Sequence, residues 1–166
     1  MTKLIPIATL AALLAAAAAF AQQAPPDPAT LYELSASVGA PKVAAGEPAT
    51  LVLCVKAKPG NHISAEAPLR VELSGANATP SKATLKLADS VVNREAGKEI
   101  TEVRFEVPYA TAQPGPAQAK AKAVVFVCTE NLCLRDAKEL SVPFEVTAPA
   151  APAKKTAKGK STSKPL

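Results

Sequence analysis

Hydrophobic and polar residues alternate with a period of two in the second half of the chain. Val103, Phe105 and Val107 fall on one side of their segment against Glu102, Arg104 and Glu106, while Leu140, Val142, Phe144 and Val146 oppose Glu139, Ser141 and Glu145. Successive side chains of a strand point to opposite faces, so each segment is expected to be a strand with one buried face. The same reading places strands at Leu51 to Ala57, Leu69 to Leu73, Ala83 to Leu87, Ile100 to Val107, Ala119 to Cys128 and Leu140 to Val146, with a weaker pattern at Leu31 to Val38. Pro143 has no amide donor, so the last strand is expected at an edge or at a bulge. Lys58-Pro59-Gly60-Asn61 suits a tight turn with Pro second and Gly third, and Thr111 to Pro116 is a second cluster of breakers. Asp89 to Gly97 fits a loop as readily as a short helical turn. Several short strands separated by turn signals predict an all-β sandwich.

The ends of the chain are of different composition. Lys3, an apolar run from Leu4 to Phe20 and the small-x-small triplet Ala19-Phe20-Ala21 have the form of a secretory signal over residues 1–21, with a mature chain starting near Gln22. Export to a bacterial periplasm is the expectation, and cysteines there are considered first as disulfide partners. Residues 148–166 contain Ala, Pro, Lys, Ser, Thr and Gly, with no larger apolar residue before Leu166. Such a stretch cannot bury enough surface to offset its ordering entropy, so a disordered basic tail is expected, one that touches anionic envelope polymers at most. Residues 22–147 remain as a single domain. The formal charge of +5 belongs to the ends, because removing Lys3 and the five tail lysines from 19 basic residues leaves 13 against 14 acidic ones. A near-neutral body without a basic, aromatic-interleaved face does not predict nucleic-acid binding.

Chemistry is expected at Cys128 and Cys133, which have four residues between them at the end of the apolar run Val124 to Val127. They can close a small disulfide ring. Closing a loop of about 6 residues contributes only about 2 kcal/mol in the chain-entropy model. A bond of that kind on a strand-end loop is well placed for attack by another thiolate, although it also suits a simple stiffener of a binding loop. Glu130 inside the ring opposes thiolate formation, whereas Arg135 favours it at Cys133, making Cys133 the better candidate for the exchanging sulfur. Cys54, flanked by β-formers, is expected as a small core hydrophobe, with intermolecular pairing as the alternative. His62 is the only histidine. Its position just after a turn suggests a cap on the end of the sandwich, and its functional alternative is a base or metal ligand beside the cysteine pair. No metal or cofactor is expected, since Met1 is the only thioether and leaves with the signal. No Gly-x-Ser-x-Gly elbow, His-Glu-x-x-His or phosphate-binding Gly loop occurs.

From about Ala29 to Val146 the chain resembles the N-terminal periplasmic domain of the thiol:disulfide interchange protein DsbD and its free-standing single-domain relatives. The resemblance rests on an apolar strand running into Pro59-Gly60-Asn61-His62-Ile63, on Pro68-Leu69 leading into a strand, and on Val124 to Cys133 followed by Leu140-Ser141-Val142-Pro143-Phe144. It implies an immunoglobulin-like antiparallel β-sandwich whose cysteine pair carries electrons from a membrane-embedded thiol reductase to thioredoxin-fold periplasmic proteins. On that analogy Cys133 forms the mixed disulfides and Cys128 resolves them, and the membrane reductase is a separate protein. Family members carry five residues between the cysteines and aromatic residues after the strand-ending Gly, where this chain has four and Asn61-His62. The alternative of a different class is an immunoglobulin-like binding or assembly module with a purely structural disulfide.

Overall fold

The alternating segments form strands in the computed structural model, which describes residues 24–92 and 97–149. The signal at 1–21 and the tail from residue 150 lie outside the described residues. Ten strands follow in chain order: β1 Tyr32–Val38, β2 Lys42–Ala44, β3 Ala49–Ala57, β4 His62–Ile63, β5 Arg70–Ala76, β6 Ala78–Pro80, β7 Thr84–Lys86, β8 Glu102–Thr111, β9 Gly115–Cys128 and β10 Cys133–Thr147. One sheet has the order β1-β3-β8-β6 and the other the order β2-β10-β9-β5-β7, with β4 added to β9 beyond the end of β5. The result is an immunoglobulin-like β-sandwich. The pairings are antiparallel except that β2 runs parallel to β10. After β1 the chain steps from the edge of the first sheet to the edge of the second within three residues, and it meets the end of β10 there.

Alternation determines what each sheet buries. Leu51, Leu53 and Val55 on β3 and Val103, Phe105 and Val107 on β8 face Val71 and Leu73 on β5 and the odd-numbered positions of β9. Four of those β9 positions are alanines, Ala117, Ala119, Ala121 and Ala123, before Val125 and Val127 take over. Small residues on one sheet leave room for large ones from the other, which is how facing layers reach close packing. Tyr109 uses that room: its hydroxyl donates to the carbonyls of Ser74 at 3.2 Å and Lys120 at 3.4 Å, both in the opposite sheet. Burial pushes its phenol up to about 12.

Gly75 allows this approach. A Cβ there would run into the backbone oxygen of Ala78, would lie 2.9 Å from that of Gln118, and would stand 3.2 Å from the Tyr109 ring. Gly75→Ala is therefore expected to destabilise the domain by about 1–3 kcal/mol, the usual range for overpacking, as read from urea unfolding. An unchanged midpoint contradicts this account of the contact.

The turns fit their residues. Asn61 N–H donates to Lys58 C=O at 3.0 Å, and Gly60 has a φ of 80°, as the third residue of a type II turn requires. Pro143 lies on a stretch of β10 paired only with β9. The amide of Glu145, two residues on, donates outward to Pro41 C=O at 3.0 Å, so the missing donor of Pro143 faces the open edge. In the uncertain segment after β7, Leu87–Asp89 forms a 3-10 turn and Val91 N–H then bonds Arg104 C=O at 2.8 Å, while residues 93–96 lie outside the described residues.

Candidate disulfide exchange site

The β9–β10 hairpin is the longest pairing in the molecule, running in register from Val146 opposite Gly115 to Cys133 opposite Cys128. Its tip is held by Thr129, whose N–H donates to Leu132 C=O at 2.9 Å and whose hydroxyl oxygen accepts from the amides of Asn131 and Leu132 at 3.3 and 3.2 Å. A Thr side chain that bonds the backbone two and three residues ahead stabilises a tight turn without glycine. The turn brings the cysteines face to face, with Cα atoms 4.0 Å apart, and they form a disulfide. The bond therefore joins two residues that the ladder already holds together.

Odd positions of β9 face the core, so Cys128 and Phe126 belong to the outer face of the second sheet. Cys133 and Arg135 occupy the same face on β10, with Arg135 opposite Phe126. Cys128 is nevertheless only 1% exposed, whereas Cys133 is exposed. The difference follows from pairing: Cys128 lies between Cys133 on one side and His62 of β4 on the other, while Cys133 lies on a stretch of β10 that pairs only with β9, since β2 meets β10 only at Glu145–Thr147. An approaching thiolate thus meets the sulfur of Cys133 first. Leu132, 37% exposed at the hairpin tip, and half-buried Phe126 add apolar surface beside it.

His62 follows the turn and lies beside the cysteine pair. It is in register with Cys128, its side chain is 28% exposed, and its Nδ1 lies 3.5 Å from Glu99 Oε1. Among the described residues, no group of three or more His, Cys, Asp and Glu side chains is placed to hold a metal.

Cys54 is corrected from a core residue to one on the outer face of the first sheet. Leu51, Leu53 and Val55 take the inward positions of β3, which turns Cys54 outward and leaves it half-buried. Its Sγ donates to Glu102 Oε1 at 3.7 Å, and its thiol is held above the ordinary range by burial first and by Glu102 second. It is therefore a poor nucleophile, on the sheet that does not carry the disulfide.

The early part of β10 was hidden from sequence reading because two inward positions are charged. Asp136 accepts a hydrogen bond from the Tyr32 hydroxyl at 2.9 Å, and Lys138 Nζ lies 5.2 Å from the centre of the Tyr32 ring. This cluster joins the β1 and β10 edges and supports the hairpin end that carries Cys133. Burial and then Asp136 hold the Tyr32 phenol well above its usual range.

No family model and no curated protein matches the chain. Among the solved structures that match the chain are two of low identity. One is the CARDB domain of a Pyrococcus furiosus protein in complex with di-metal ions, 18% identical, with a TM-score of 0.40 over 71% of this chain and 89% of that one. The other is self-complemented MyfA, the major subunit of Myf fimbriae from Yersinia enterocolitica, in complex with galactose, 13% identical, with a TM-score of 0.37 over 69% of this chain and 99% of that one.

Proposed function

We propose that the chain is a periplasmic thiol-disulfide exchange domain, passing electron pairs between a separate membrane-embedded thiol reductase and thioredoxin-fold proteins through Cys128 and Cys133. One observation carries this reading: the disulfide ends a hairpin with one cysteine exposed and the other buried. Exchange needs an attacked sulfur that a partner can reach and a leaving sulfur that stays in place to resolve the mixed disulfide. Cys133 suits the first role and Cys128 the second. A thiolate of a partner dithiol attacks Cys133, the bond to Cys128 breaks, and the electron pair leaves on Cys128. The partner's second thiolate then attacks its own sulfur in the mixed disulfide and releases Cys133 as thiolate. The partner is oxidised to a disulfide, and this chain is reduced by two electrons.

The bond also contributes little as a staple, since it closes only a short loop between strands that are already paired. Arg135 on the face of Cys133 favours the thiolate there. The resemblance to the DsbD N-terminal domain assigns the two cysteines the same roles. Equilibration of the oxidised chain, with Cys54→Ser to remove the third thiol, against a thioredoxin-fold dithiol protein is expected to leave both redox forms populated. Persistence of the disulfide against excess dithiol contradicts the proposal.

A further inference from the structure

We infer that His62 gives and takes the proton of the Cys128 sulfur, making the disulfide and the imidazole one proton-coupled unit; this deepens the exchange reading and rests on it. When the bond is reduced, negative charge appears on the sulfur of Cys128, a residue 1% exposed in the disulfide form. A buried thiolate without a proton or a counter-charge is costly, and water has little direct access to this one. His62 stands next to it on the ladder and on the same outer face, where residues in register have their Cβ atoms about 5 Å apart.

The groups around His62 select it for this role. Glu99, from the segment leading into β8, lies 3.5 Å from Nδ1, while Nε2 has no hydrogen-bond partner among the described residues. Cys128 faces it from β9, Glu130 belongs to the hairpin tip, and Lys58 begins the preceding turn. On β10, Cys133 and Arg135 lie beyond the disulfide, so Arg135 serves the exposed sulfur rather than the buried one. Cys54 is on the other sheet.

The proton balance is simple. As the partner thiolate attacks Cys133, the imidazolium of His62 passes a proton to the departing Cys128 sulfur, or holds it as a thiolate-imidazolium pair. In the reverse direction neutral His62 takes the proton as Cys128 attacks the mixed disulfide, and the electron pair goes to the partner's sulfur.

The test is the rate of reduction of the oxidised full chain, carrying Cys54→Ser, by dithiothreitol between pH 5 and 8, divided by the concentration of dithiothreitol thiolate. Histidine changes charge in this window. The normalised rate is expected to rise roughly tenfold towards low pH with His62 present, at the modest end of general-acid effects because a thiolate already leaves readily. His62→Gln is expected to flatten the profile. Superimposable profiles for His62→Gln and the parent overturn the inference. Excess dithiothreitol drives the reaction whatever the physiological partner, so this result stands apart from whether the domain exchanges with thioredoxin-fold proteins.

Discussion

With Cys54→Ser as background, Cys128→Ala is expected to take up one glutathione from glutathione disulfide through Cys133 and to keep it, whereas Cys133→Ala reacts at least about tenfold more slowly. Exchange rates depend on thiolate fraction and on access to the sulfur. Access separates the two cysteines: Cys133 is exposed on a stretch of β10 that pairs only with β9, and Cys128 is covered between its neighbours on both sides. Arg135 favours the thiolate of Cys133, which widens the gap. The adduct persists in Cys128→Ala because the resolving thiol is gone, and in the parent Cys128 expels the glutathione as the ring closes. Mass spectrometry of the time course reads both variants. Equal rates for the two would show that the reduced site does not keep the asymmetry of the disulfide form, and the assignment of roles would fall.

Phe105→Ala is expected to cost about 3–5 kcal/mol, the range for truncating a fully buried aromatic residue. Phe105 is completely buried on β8, in register with Leu53 on β3, and is part of the layer that fills the space opened by the β9 alanines. Neither strand can close on the resulting void without losing its ladder, so little relaxation is available. Against a usual domain stability of about 5–15 kcal/mol, such a loss lowers the urea midpoint strongly and leaves a small domain close to unfolding at 37 °C. Phe126→Ala, on the outer face of β9, is the control and should cost much less. Similar losses for both would contradict the division of β9 into core and outer faces.

Period-two patterns were readable where one face is purely apolar. Val103 to Val107 and Leu140 to Val146 came through directly, because each alternates aliphatic or aromatic residues with charged or small polar ones. The Cys133 to Glu139 part of β10 did not, since Asp136 and Lys138 occupy inward positions and are accommodated by Tyr32, about a hundred residues earlier in the chain. β2, β4 and β6 have two or three residues each, too few to show any period. Cys54 was misplaced for a related reason: Leu51 to Val55 is a continuous apolar run, and only the pairing of β3 with β8 decides which residues of such a run face inward. The cysteine pair was legible from its spacing. The neighbourhood of His62 was not, because 66 positions separate it from Cys128 and the contact exists only through the register of β4 on β9. Phe126 could have been found, since it precedes Cys128 by two residues on a strand and shares its face.

The central claim is that the Cys128–Cys133 bond is made to be exchanged. Its most direct test is the reduction potential of the pair in the Cys54→Ser protein, measured by equilibration in glutathione buffers at pH 7. A value within about −270 to −120 mV, where thioredoxin-fold and related exchange proteins operate, is the result this account predicts. A value below about −300 mV would identify a bond built to resist reduction and would contradict it.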